Sequence, residues 1–108
     1  MRALLPFLLL ATLALGGCSS TPAAVVHTDQ VSIPGAWRFE PQIAEVAHGA
    51  TVTWTNHGGQ AHSITFDDGS DQDIAPGATA TRTFATPGTH NYHCKYHPPD
   101  MKGSIIVD

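Results

Sequence analysis

Short runs of alternating apolar and polar residues fill most of the chain, separated by Gly, Pro, Asn and Asp. Val31 and Ile33 alternate until Pro34-Gly35 breaks the run. Phe39-Glu40-Pro41-Gln42 leads into Ile43 to Ala47, and His48-Gly49 makes a turn. Thr51-Val52-Thr53-Trp54-Thr55 alternates cleanly and puts Val52 and Trp54 on the core face. Asn56 to Gln60 reads as a loop, Ala61 to Phe66 as the next strand, and an acidic loop with Pro76-Gly77 follows. Ala78 to Phe84, Thr89 to Cys94 after Pro87-Gly88, and Ser104 to Val107 complete the series. Strands at such regular spacing, with no helical period and no internal repeat, predict an all-β fold, a small antiparallel sandwich or barrel.

The amino terminus is patterned differently. Met1-Arg2 supplies a positive start, Leu4 to Leu15 an apolar run, and Leu15-Gly16-Gly17-Cys18 a small-residue cleavage site. An apolar run of about a dozen residues is too short for a spanning helix and reads as an export signal, residues 1–17. The Leu-Gly-Gly-Cys ending resembles a bacterial lipobox, which makes Cys18 the lipidated first residue of the mature chain. Residues 18–29 are small and polar without a period and are expected to be a flexible tether, with His27 solvated. The folded domain is expected over 30–108. Its place is then a bacterial membrane surface, in the periplasm or on the extracytoplasmic side, held by lipid.

Charge narrows the partners. The 108-residue chain carries net charge −4; from residue 19 onward four basic residues stand against nine acidic ones, a balance of −5. That excludes ordinary nucleic-acid binding, which rests on Lys and Arg neutralising phosphates. Asp67, Asp68, Asp71 and Asp73 form one acidic stretch, read as a solvated loop or as a docking patch for a basic partner.

The chemistry concentrates in the last quarter, where Cys94, His97 and Met101 follow the spacing C-x2-H-x3-M. A thiolate, an imidazole and a thioether in one short loop suit copper, which accepts a trigonal His2Cys arrangement with a weak axial Met. Zinc is the weaker choice, because a thioether is a poor zinc ligand and lipidation removes Cys18 as a second thiolate. A second histidine is needed from elsewhere. In Ala61 to Phe66, His62 shares a face with Ile64 and Phe66, so it sits at the mouth of the strand and points as the core points. The same parity places Cys94 with Tyr92 and His90 and sends His93 to the opposite face. His90 is expected to be a hydrogen-bonded core imidazole, while His48 and His57 are turn and loop residues.

These pieces resemble the cupredoxins, the blue copper proteins of the plastocyanin and amicyanin kind. The resemblance is carried by Phe39-x-Pro41, by Val46-x-x-Gly49-x-Thr51-Val52-Thr53-Trp54-x-Asn56, by His62-Ser63-Ile64-x-Phe66, by Pro87-Gly88 and by the Cys94 to Met101 loop. It implies a Greek-key β-sandwich with one copper at one end. His62, Cys94 and His97 carry over as equatorial ligands and Met101 as axial ligand, with Ser63, Tyr96 and Asn56 around them. The loop departs from both relatives: amicyanins place two residues between the second His and Met, plastocyanins four, and this chain three. Tyr96 stands where those families usually carry proline. Its N–H, together with that of Ser63, is expected to donate to the Cys94 thiolate and so favour the reduced site.

A fully dressed metal leaves no open position for substrate, so the expectation is an electron carrier and not an enzyme. The resemblance implies a monomer whose redox partners dock near His97. The alternative is a copper lipoprotein for storage or delivery without redox turnover, favoured only by the nearby His57, His90 and His93.

Overall fold

The computed structural model describes residues 22–97 and 100–108, so the signal segment, the lipidation site at Cys18 and the two loop prolines lie outside the described residues. The described residues form nine strands and no helix: β1 (Val25–His27), β2 (Gln30–Ile33), β3 (Ile43–Val46), β4 (Ala50–Asn56), β5 (His62–Phe66), β6 (Asp71–Ile74), β7 (Thr79–Phe84), β8 (Gly88–His93) and β9 (Lys102–Val107). They make a six-stranded sheet in the order β1-β3-β9-β8-β5-β6 and a three-stranded sheet in the order β2-β4-β7. This is the expected all-β sandwich, but its pairing is mixed. β1 with β3, β2 with β4, and β3 with β9 are parallel, and the other pairs are antiparallel. The chain changes sheet between β2 and β3, again between β3 and β4, and again between β4 and β5. Strands that return to a sheet through the opposite one can lie parallel to a neighbour, which a run of hairpins cannot produce.

Alternation translates into packing. In β4, Val52, Trp54 and Asn56 are buried, and in β9, Gly103, Ile105 and Val107 are buried. Trp54 is the centre of the core: its indole N–H donates to the Tyr92 hydroxyl at 3.1 Å, and its ring meets Tyr92 and Phe66 edge-on. Edge-to-face contact matches the positive rim of one ring to the negative face of the next. The hydrogen bond removes the cost of burying two polar atoms, and burial pushes the Tyr92 hydroxyl's pKa upward. Across the β8–β9 pair, Tyr92 lies opposite Gly103, and a Cβ at Gly103 would collide with the Tyr92 ring. The glycine is what lets the ring lie against the neighbouring backbone.

Two expectations change here. Residues 25–27, expected within the tether, form an edge strand paired with Ile43–Glu45, so ordered pairing begins before residue 30. His27 is exposed, as expected, 3.8 Å from Glu45. The acidic stretch is not wholly a loop either, since Asp71–Ile74 forms β6 against β5. Asp68, Asp71 and Asp73 are already engaged. Asp68 meets Arg82 at 2.9 Å, and Lys95 reaches Asp71 at 2.6 Å and Asp73 at 3.2 Å. Two cations set against four carboxylates offset part of this charge and leave the stretch net acidic.

Candidate metal centre

His62 opens β5, and the segment before it is fixed by Asn56 at the end of β4. The fully buried Asn56 side chain donates to the carbonyls of Gln60 at 2.8 Å and Ile74 at 3.0 Å, and accepts the Gly58 N–H at 2.9 Å. One amide thus ties the 57–61 loop to the end of β6 and sets where β5 begins. Burial, and then the nearby His97, lowers the pKa of His62, which keeps its imidazole neutral and able to bind a metal.

Cys94 follows β8 and is fully buried. Its backbone N–H donates to the Met101 carbonyl at 3.0 Å, its carbonyl accepts from His97 at 3.3 Å, and the Met101 N–H donates to the His97 carbonyl at 3.4 Å. The loop is thereby folded back so that Met101, also fully buried, lies beside Cys94 in the backbone. Ligand atoms of His62, Cys94 and His97 all lie within 4.8 Å of one another, with Cys94 Sγ 3.7 Å from His62 Nδ1. Among the described residues this is the one group of three or more His, Cys, Asp or Glu close enough to share an ion.

Ser63 is buried although alternation points it away from the core, because it bonds the ligand loop. Its N–H donates to Cys94 Sγ at 3.4 Å, and its hydroxyl accepts the Lys95 N–H at 2.8 Å. Thr65 gives its single hydroxyl proton to Asp71 at 2.7 Å, so the Ser63 hydroxyl donates to Thr65 at 2.9 Å. Lys95 Nζ returns to Asp71, closing a ring of hydrogen bonds that clamps the loop to β5 and β6.

Tyr96 does not act as expected. Among the described residues the hydrogen bond to the Cys94 sulfur comes from Ser63, and the Tyr96 N–H makes none to it. The Tyr96 hydroxyl instead donates to Asp73 at 3.0 Å, which anchors the loop from outside. His90 is hydrogen-bonded, to the Thr86 carbonyl at 3.0 Å, but it is half-buried and not part of the core. His48, His57, His90 and His93 take no part in the ligand cluster.

Trp37 escaped the sequence reading. Its indole stacks on His97 with ring centroids 3.9 Å apart and planes 19° from parallel. The available signal was a tryptophan in a Pro- and Gly-punctuated connection, outside any alternating run, where a large apolar side chain has no core to fill.

The donors test well against copper. His97 Nε2 is buried without a hydrogen-bond partner among the described residues, which costs free energy in a protein unless a ligand satisfies it. One thiolate, two imidazoles and a buried thioether nearby are the soft and intermediate donors that copper takes.

A two-sheet sandwich with a buried His2Cys cluster at one end defines a mononuclear metal-binding β-protein. The cupredoxin-like domain family matches residues 7–107, and the chain belongs to that family. Plastocyanin of Scenedesmus fuscus is 38% identical over 87 residues, covering 68% of this chain and 89% of that protein. Chloroplastic plastocyanin of Tetradesmus obliquus is 37% identical over 87 residues, covering 68% of this chain and 60% of that protein. Among solved structures, a purple cupredoxin from Nitrosopumilus maritimus aligns with TM-score 0.64 and 28% identity, covering 73% of this chain and 98% of its own. An oxidised amicyanin variant aligns with TM-score 0.66 and 28% identity over 73% of this chain and 80% of its own.

Proposed function

We propose that the protein is a type 1 copper protein that carries single electrons in a bacterial cell envelope. The observation that supports this most is the convergence of His62, Cys94 and His97 donor atoms within 4.8 Å, supplied by two strands' ends and one loop. His62, Cys94 and His97 would hold the ion, with Met101, buried beside Cys94, as the fourth donor. Bound copper supplies a one-electron couple between Cu(I) and Cu(II). The chain's own contribution is to hold these ligands rigidly and to tune them. Ser63 donates to the sulfur and stabilises its more anionic, reduced state, and the hydrogen-bonded ring through Lys95 keeps the loop from reorganising. Four protein ligands leave no place for a substrate, so turnover of a bound substrate is not part of this reading.

Cleavage after residue 17 and lipidation of Cys18 place a monomeric domain close to membrane-bound redox partners. The tether is then the segment from Cys18 to the start of β1 at Val25. Confinement to a thin layer raises encounter frequency without a stronger contact. Storage or delivery draws less support, since its favouring feature was extra histidines and none of these joins the donor cluster. The two are separated by titrating Cu(I)-loaded protein with a competing Cu(I) chelator. The carrier retains its copper in both oxidation states, whereas ready loss of Cu(I) alone would contradict the carrier.

A further inference from the structure

The family resemblance implies that redox partners dock near His97. In the structure His97 is only partly exposed, its Nε2 is buried, and an indole covers one face of its ring. We propose that Trp37 is the outermost group of the electron path: it positions His97 and passes the electron between the metal centre and a docked partner. This rests on the copper-carrier reading.

Three features of the fold argue that the stack is built. First, Trp37 is 53% exposed. Burying an aromatic ring of this size stabilises a fold, so leaving half of it in water forgoes much of that gain. Second, the segment that carries it is clamped. Ser32 and Glu40 exchange backbone hydrogen bonds at 2.7 and 2.8 Å at its base, the Ile33 carbonyl accepts the His57 N–H at 2.8 Å, and Arg38 closes a turn onto Ala36 at 2.9 Å. Gly58 lies close beneath it, where a Cβ would come 3.2 Å from the Pro34 carbonyl oxygen. The segment bearing Trp37 is thus seated on the loop that precedes His62. Third, the rings form a series: His97 lies 5.0 Å from His62 on one side and 3.9 Å from Trp37 on the other.

Electron transfer between proteins weakens steeply with the gap between the donor and acceptor orbitals. A flat indole in van der Waals contact with a ligand imidazole carries the site's electronic reach to the surface at no cost in ordering a loop. The indole is not oxidised in the step. One electron leaves Cu(I), which becomes Cu(II), and arrives on a one-electron oxidant; in the simplest case this is the Cu(II) form of a second copy of the same chain.

The test compares wild type with Trp37→Leu, which keeps an apolar cover without a π-system, and Trp37→Phe, which restores a ring. Electron self-exchange is read from NMR line broadening in mixtures of Cu(I) and Cu(II) protein. Leu is expected to slow exchange by about tenfold and Phe to stay within about threefold of wild type, with the visible band of the Cu(II) site unmoved in both. In the metal-free protein, the His97 ring protons should lie upfield in wild type and shift downfield in Trp37→Leu. Unchanged or faster exchange in Trp37→Leu with the band intact overturns the role, as do His97 protons that ignore the substitution. A wild type without the band strikes the copper reading instead, and the ring-proton shifts still decide whether the stack exists.

Discussion

The backbone N–H of Ser63 donates to the sulfur of Cys94 at 3.4 Å, and the same residue's hydroxyl accepts the next N–H along the loop, that of Lys95, at 2.8 Å. One residue at the start of β5 therefore holds the thiolate and its loop together. Ser63→Ala keeps the bond to sulfur and removes the hydroxyl. The Lys95 N–H then loses its acceptor, and the ring through Thr65 and Asp71 opens. The expected cost is about 1–3 kcal/mol, the usual penalty for stranding a partly buried donor, read from the urea midpoint of the metal-free protein. The visible band of the copper-loaded variant should barely move. A midpoint equal to wild type would mean the ring is ornamental to stability.

Gly103→Ala tests the packing beneath the same loop. The added methyl meets the Tyr92 ring, which is hydrogen-bonded to Trp54 and packed edge-on against Phe39 at 4.7 Å. Tyr92 cannot swing away without stranding the Trp54 indole N–H. Overpacking of this kind costs about 1–3 kcal/mol, and the loss of the Trp54 hydrogen bond adds to it. Thermal unfolding should show a clearly lower midpoint, with near-ultraviolet circular dichroism altered in the tryptophan region. A variant as stable as wild type would show that the Tyr92 ring is free to move.

Much of this was legible in residue patterns. Period-two alternation located Val52 and Trp54, and the parity of His62 with Ile64 and Phe66 brought the right histidine to Cys94. What stayed hidden depends on contacts distant in sequence. Three residues, Val25–His27, have too little pattern to reveal a strand, and their order comes from pairing with Ile43–Glu45. The burial of Ser63 opposes its strand parity because the Lys95 N–H bonds it from another element. Tyr96 was expected at the sulfur because relatives carry proline there, yet its hydroxyl is drawn outward to Asp73. Trp37 had no periodic neighbours to explain it, and only the folded chain shows that His97 lies under it.

Acid stability should report on Asp68. Its carboxylate accepts from the Ser70 backbone N–H, the Arg82 guanidinium and the Ser70 hydroxyl, which together hold its pKa at about 2, below the ordinary 3.8. A pKa depressed by folding contributes stability above the unfolded value and loses it as pH falls through the folded one. The contribution is thus complete above about pH 4 and fades toward about pH 2. Asp68→Asn should be less stable at neutral pH, with a flatter stability profile across that window, measured by urea unfolding at successive pH values. The effect will be small because the group is exposed to solvent. An unchanged slope would show that these contacts do not persist in solution.

The central claim is that Cys94 binds copper as a thiolate between His62 and His97. The direct measurement is the visible spectrum of the purified protein as one equivalent of Cu(II) is added, beside the same titration of Cys94→Ser. An intense sulfur-to-copper charge-transfer band that saturates at one copper per chain in wild type, and is absent in Cys94→Ser, is the predicted result. A wild-type protein that binds Cu(II) with only the weak absorption of nitrogen and oxygen ligands, indistinguishable from Cys94→Ser, would contradict it.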